Sequence, residues 1–385
     1  MKVTVAPDSL KESISAQQAA NAIGRGLQRA DASVQLELVP IADGGEGTAD
    51  ALVAATGGRK VNAPVVDPLG RPVQAAFGLL GDGRVAAVEM AAASGLALLA
   101  PSERNPLVTS TRGTGQLIRR ALELDVEHII VCIGGSATVD CGAGMAAELG
   151  VRFLDASGNL IEEPCGGRLQ DVRRIDVAGL DPRLKRIRIT VACDVTNPLV
   201  GPRGAAPVYA PQKGADKAMV ARLSNGITKF ANVVRRELGK DVRKVPGGGA
   251  AGGLGAGLSA FLDAELNSGI EVVMQAVRLR ERMRGSELVI TAEGRIDGQS
   301  AFGKAPAGVA ALARELGIPV VALAGSLGPD YEKLYDCGVA AVFGICDRPM
   351  PLETAFVEAE QLLERAAESL LRFWNAAAGK GRRRG

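Results

Sequence analysis

Histidine occurs once in the 385-residue chain, as His128, at the start of a strand and away from the strand end where a site would form, so a Ser-His-Asp triad and a histidine-rich metal site are both disfavoured. Any general base must then be Asp, Glu or Lys. The six cysteines, Cys132, Cys141, Cys165, Cys193, Cys337 and Cys346, include no C-x-x-C pair, which removes zinc knuckles and redox dithiols and leaves the expectation of buried reduced thiols. Charge of one sign is lacking as well. Forty-five Lys and Arg stand against 43 Asp and Glu, and the only dense basic run is Arg382-Arg383-Arg384, so nucleic acid is not expected as a partner and the tail over 375–385 is assigned no role. No apolar run reaches about 18 residues, and Met1-Lys2-Val3-Thr4-Val5 enters a strand directly, so neither a membrane span nor an export signal is read and the cytoplasm is expected. Aromatics are only 3%, whereas glycine reaches 49 residues, a surplus suited to tight turns and close backbone approach to ligands.

What is present describes a large α/β protein. The length exceeds the roughly 250–300 residues at which one core stops growing, so two domains are expected. Val3 to Ala6, a helix over 15–29 opened by a Ser15/Gln18 capping box, and Val34 to Ile41 make a β-α-β unit. The last hundred residues repeat this grammar: strands Leu288–Thr291, Pro319–Ala324 and Ala340–Ile345 alternate with helices near 306–316, 330–337 and 351–374. Residues 1–68 and 286–374 are therefore joined into one doubly wound parallel sheet of flavodoxin-like order 2-1-3-4-5. Residues 69–285 become an inserted mixed α/β domain with strands at Val73–Phe77, Val85–Glu89, His128–Ile133 and Ile187–Cys193. Its junctions are placed at Asp67-Pro68-Leu69-Gly70 and Arg284-Gly285-Ser286.

Ligands of open α/β sheets bind beyond the carboxyl ends of the strands. Those ends carry Asp8-Ser9-Leu10-Lys11, Asp43-Gly44-Gly45-Glu46 and Glu293-Gly294-Arg295-Ile296-Asp297. Helix capping and ligand binding are both open for each residue, but three polar strand ends on one edge favour a site. Asp43 and Glu46 between glycines suit Mg²⁺, a hard cation. Gly298 to Lys304 fits G-x-x-x-x-G-K, yet Ala305 replaces the Ser or Thr of a P-loop, leaving either a turn or an anion site. Gly134-Gly135-Ser136 after a strand could form an N–H nest for phosphate. The Gly142-x-Gly144 pattern stands too far from its strand for dinucleotide binding. Ser110 to Gly115 reads as a cap, and Cys193-Asp194-Val195-Thr196-Asn197 and Lys213 add a carboxylate, an amide and a cation. His128, at a strand start, is expected to be exposed and structural.

Taken in order, Ala6–Ser13, Ala42–Thr48, Ile133–Thr138, Ala192–Leu199, Gly252–Ala256 and Gly294–Ser300 resemble the bacterial class I glycerate kinases over residues 1–374. Leu10 stands where that family has Phe, and Val139-Asp140-Cys141 where it has Asn-Asp-Gly. The resemblance implies a flavodoxin-like domain with an insertion likened to restriction endonucleases. It also implies ATP-dependent phosphorylation of D-glycerate, usually to 2-phosphoglycerate, with 3-phosphoglycerate as the other regiochemistry. Chemistry and location then suggest an interdomain cleft in which Asp43 or Asp194 holds Mg²⁺, Asp194 is the first choice of base, and Lys11, Lys213, Arg295 and Lys304 clamp anions. Asp8, Ser9, Gly44, Gly45, Glu46, Gly134, Gly135, Ser136, Asn197, Glu293 and Asp297 complete the expected binding set. The rivals are a nicotinamide-dependent hydroxyacid oxidoreductase and a non-catalytic two-domain binding protein; oligomeric state is not read.

Overall fold

A computed structural model describes residues 1–45 and 47–379; Glu46 and the basic run of the tail lie outside the described residues. Thirteen strands are present among the described residues: β1 (Lys2–Val5), β2 (Gln35–Leu38), β3 (Arg59–Val66), β4 (Pro72–Leu80), β5 (Val85–Glu89), β6 (His128–Cys132), β7 (Arg152–Leu154), β8 (Arg174–Asp176), β9 (Arg188–Ala192), β10 (Glu265–Asn267), β11 (Leu288–Ile296), β12 (Val320–Leu327) and β13 (Val339–Gly344). The chain divides into two compact units. One comprises Met1–Asp43, Ala54–Thr56 and the chain from Val273 onward; the other comprises Gly44–Val53 and Gly57–Val272.

The first unit is built on a five-stranded sheet of order β13-β12-β11-β1-β2, every neighbouring pair parallel. Numbered within the unit this is 2-1-3-4-5, the order expected from the β-α-β grammar. Val3 pairs with Leu288 and Val5 with Ile290, so segments almost three hundred residues apart share one ladder. Val3, Val5, Leu288 and Ile290 are fully buried, as strands covered by helices on both faces require. The first helix, Ala16–Ala30, begins where the capping box places it. Ser15 Oγ accepts from Gln18 N–H, and Gln18 Oε1 accepts from Ser15 N–H. β11 runs to Ile296, five residues past the expected end, because Glu293 and Arg295 stay in register with Ala324 and Ser326 of β12. The final helical stretch is two helices, Leu352–Val357 and Ala359–Ala377.

The second unit holds a six-stranded sheet of order β10-β9-β6-β5-β4-β3 and a small antiparallel pair, β7 with β8. β5, β6, β9 and β10 are mutually parallel; β4 runs antiparallel to both β3 and β5. Phe153, Phe230 and Phe261 meet at ring-centroid distances of 5.7–6.4 Å and anchor its core. Asp67 to Gly70, expected at a domain junction, forms the hairpin turn between β3 and β4. Asp67 Oδ1 accepts the N–H groups of Leu69 and Arg71, and Gly70 takes φ +84°. Arg284 to Ser286, the other expected junction, belongs to the first unit. His128 is half-buried and bonded through Nε2 to Thr190 Oγ1 (2.9 Å), joining β6 to β9, which departs from the exposed position expected of it. All six cysteines are free thiols, Cys132 and Cys141 buried and Cys346 exposed. Among the described residues no helix is long and apolar enough to cross a membrane.

Candidate functional site

In the first unit, charged side chains collect beyond the carboxyl ends of β1 and β2 and along the last residues of β11. Asp8 follows β1 and is fixed there by its backbone N–H bond to Ala292 O (2.9 Å). Its carboxylate accepts the Ser9 N–H at 2.6 Å and is 5% exposed. Burial, then the negative charges of Asp43 and Glu293, push the Asp8 carboxyl up to about 7, against the opposing pull of the Ser9 N–H and Lys11. Lys11 Nζ lies 3.9 Å from Asp43 Oδ2. Glu293 is buried and receives Lys304 Nζ at 2.8 Å and Ser300 Oγ at 3.0 Å. Burial alone would lower Lys304, but the hydrogen bond and charge of Glu293, with Asp297 and Asp43, raise it above the ordinary lysine range. Arg295 projects from the strand as an exposed cation 3.3 Å from Asp297 Oδ2. Asp297 also caps the short turn Gly298–Ala301 through Gln299 N–H.

The G-x-x-x-x-G-K segment thus ends with Lys304 as N-cap of the helix Ala305–Glu315, its ammonium turned onto Glu293. Ser300 was not singled out from the sequence, yet it holds Glu293 and also accepts the Asp297 N–H.

In the second unit the polar strand ends are those of β5, β6 and β9. Gly134 and Gly135 follow β6 and are exposed, Gly135 with φ +72°. Among the described residues neither Gly134 N–H nor Gly135 N–H donates within the chain, which leaves both donors available. A Cβ at Gly134 would stand 3.4 Å from Gly45 Cα, and one at Gly44 would stand 2.8 Å from Gly269 Cα and 3.4 Å from Asp194 Oδ2. Glycine at 44 therefore lets its backbone close on that of Gly269 beside the exposed Asp194 carboxylate. Asp194, after β9, is oriented by the Gly269 N–H on Oδ1 (2.8 Å). Glu89, the last residue of β5, accepts Ala49 N–H at 2.7 Å and was not anticipated as part of this edge.

Two expected ligand-binding residues are employed inside the protein. Asn197 donates to Arg203 O and accepts from Tyr209 OH, both at 2.9 Å, which ties its loop together. Lys213, expected as an anion clamp, is 1% exposed and donates to Ser136 Oγ (2.6 Å) and Thr138 O (2.8 Å). The two proposed metal carboxylates fall in different units, Asp43 in the first and Asp194 in the second. Among the described residues no group of three or more His, Cys, Asp or Glu side chains is arranged to hold a metal. A magnesium ion, which can take a single protein carboxylate and complete its shell with phosphate and water, is compatible with Asp43 or with Asp194 taken by itself. Burial is the larger cause of the rise at Asp8; the negative charges of Asp43 and Glu293, which add to it, are a surplus a bound cation would relieve.

The profile describing the glycerate kinase family matches residues 3–375. The chain is 50% identical over 375 residues to the glycerate kinase of Halalkalibacterium halodurans, covering 97% of this chain and 98% of that one. It is 50% identical over 370 residues to the glycerate 2-kinase of Escherichia coli K12, covering 96% and 97%. A solved chain from Salmonella typhimurium LT2, described as a candidate glycerate kinase 2, aligns with TM-score 0.91 at 47% identity over 98% of this chain and 99% of the other.

Proposed function

The chain belongs to the glycerate kinase family, and from that premise we propose that it transfers the γ-phosphoryl group of ATP to the 2-hydroxyl of D-glycerate, giving ADP and 2-phosphoglycerate. It is a phosphotransferase, with ATP as co-substrate. The 2-position is favoured over the 3-position because the half-identical Escherichia coli relative is a glycerate 2-kinase. The observation that carries the reading is the strand-end cluster of the first unit, where Lys11, Arg295 and Lys304 stand among Asp8, Asp43 and Glu293. Phosphoryl transfer asks mainly for positioning and charge neutralisation, and this cluster offers both signs of charge on parallel-sheet edges.

Asp43 is the carboxylate we assign to Mg²⁺, with Asp194 as the other candidate. When bound, the ion neutralises charge on the phosphate oxygens. Lys11 and Arg295, both exposed, attract phosphate or the glycerate carboxylate, while Lys304 supplies a cation held in place by Glu293. The free N–H groups of Gly134 and Gly135 donate to an anionic oxygen. Asp194, exposed and aimed by Gly269, takes the hydroxyl proton as the oxygen attacks phosphorus. We place the reaction in the cytoplasm, where six unpaired thiols stay reduced.

The test is ADP release in a coupled assay with Mg²⁺-ATP and D-glycerate, L-glycerate or glycolate, followed by ³¹P NMR of the product. Turnover is expected with D-glycerate and the signal of 2-phosphoglycerate. Absence of D-glycerate-dependent ADP release at saturating substrates sinks the reading, and 3-phosphoglycerate as sole product corrects its regiochemistry.

A further inference from the structure

The least explained charge in the second unit is Lys213. An ammonium taken out of water costs several kcal/mol unless its bonds are replaced. Yet Lys213 is 1% exposed, and its two recorded hydrogen bonds go to uncharged acceptors, Ser136 Oγ at 2.6 Å and Thr138 O at 2.8 Å. Asp140, itself fully buried, favours the charge through space without a hydrogen bond to it. Burial nevertheless drives the ammonium down to about 7. A methionine would fill this space without that penalty, so packing alone does not account for a lysine here.

Both acceptors belong to the loop that carries the free Gly134 and Gly135 donors. That loop is tied elsewhere by Leu96 N–H to Gly135 O (2.8 Å), Ala137 N–H to Ser94 O (2.9 Å) and Thr109 Oγ1 to Ala137 O (3.0 Å). Lys213 adds the ties that these leave out, at residues 136 and 138. Its own backbone is fixed by the turn Pro211–Lys213. The turn closes on Gly214 at φ +92°, where a Cβ would come within 2.2 Å of Arg104 O. The side chain therefore links a rigid turn to a loop bearing exposed N–H groups.

We infer that Lys213 is a positioning residue: through Ser136 and Thr138 it holds the Gly134–Thr138 loop in the shape that presents the Gly134 and Gly135 N–H groups to an anionic substrate. It does not touch the substrate itself. The inference rests on the reading above that this loop binds an anion of the kinase reaction, a phosphate or a carboxylate.

The experiment uses Lys213→Met, which keeps the length and removes the ammonium, beside Ser136→Ala, which removes one acceptor, and the double variant. Three quantities are read on each: melting temperature, amide hydrogen exchange over 134–138, and KM and kcat for D-glycerate and ATP. Expected for Lys213→Met are a melting temperature at or above that of wild type and exchange in the loop faster by tenfold or more. KM for one of the two substrates should rise at least tenfold while kcat moves less than threefold. Ser136→Ala should show a smaller change of the same kind, and the double variant should be no worse than Lys213→Met, because the two residues act through one bond. Unchanged exchange in both single variants overturns the inference. So does faster exchange with both KM values within twofold of wild type, since the loop would then be held by Lys213 but not used. Failure of the kinase reading is a separate result: wild-type protein would release no ADP in response to D-glycerate.

Discussion

Two buried aspartates follow parallel strands, one in each unit, and their surroundings are opposite. Asp140 is saturated with donors: Thr111 N–H and Thr111 Oγ1, both at 2.8 Å, Gly142 N–H at 3.1 Å and Gly144 N–H at 3.2 Å. Asp8 has the Ser9 N–H and is crowded by Asp43 and Glu293. Burial raises both carboxyls, yet at Asp140 every further contact works to restore the anion, whereas at Asp8 like charges add to the rise. A buried carboxylate surrounded by N–H and O–H donors organises a loop; one left among other carboxylates stores electrostatic tension that a cation or phosphate-bound metal can release.

The most direct way to break this contrast is at the crowded end. Asp43→Asn keeps size and removes charge. If Asp43 serves the reaction, kcat should fall by roughly 10²–10⁴ with the melting temperature within a degree or two of wild type. Turnover within a few-fold of wild type removes Asp43 from the chemistry, and partial rescue at high Mg²⁺ marks it as a metal ligand. At the saturated end the effect should appear in stability. Asp140→Ala strands four donors in the core and should cost about 3–5 kcal/mol in urea unfolding, while Asp140→Asn, which keeps one acceptor oxygen, should cost less. Equal losses for the two would show that the charge, not the hydrogen bonds, is what the loop needs.

A pH titration sharpens the comparison further. Between the ordinary Asp value of 3.8 and about 7, folded Asp8 keeps a proton that the unfolded chain has released. The stability this site contributes is therefore complete at the acid end and lost as pH rises to about 7. In metal-free buffer, Asp8→Asn should be more stable than wild type by about 2–4 kcal/mol at pH 8, with the gap opening from pH 4 to 7 and constant above. A gap independent of pH would refute the crowding account. The smallest effect is expected at Cys141, a buried non-glycine residue at φ +54° beside Asp140. Cys141→Gly should relieve the backbone but lose thiol packing against Gly253, leaving stability within about 1 kcal/mol of wild type. A loss above about 2 kcal/mol would mean that the thiol contact dominates.

Much of the first sheet was legible because its grammar is local: apolar runs alternating with amphipathic helices, and a Ser15/Gln18 box that can only open a helix. β3 was missed although Val61, Ala63 and Val65 alternate correctly, since Pro64 and the leading Arg59-Lys60 argue against a strand. They are tolerated because β3 lies at the sheet edge. Of the candidate site, Asp8, Lys11, Asp43, Glu293 and Lys304 stood out as polar strand ends, and the structure groups them in the first unit. Glu89 escaped notice because a strand-final glutamate looks like a solvated end. The burial of Lys213 could not be read from Pro-Gln-Lys-Gly, which has the composition of a surface turn. Which side of a turn faces the core is decided by residues far away in sequence.

The pairing of β1 with β11 also has a consequence for synthesis on the ribosome. β2 ends at Leu38 and β11 begins at Leu288, about 250 residues later. At roughly 5–20 residues per second, β1, with only β2 beside it, waits on the order of 10–50 s for its other partner β11, while the whole Gly57–Val272 segment is synthesised. A nascent chain halted before Leu288 would expose Val3, Val5 and the buried face of the first helix. It is therefore at this stage of synthesis, more than in the finished enzyme, that the apolar surface of the first unit is open to misassociation.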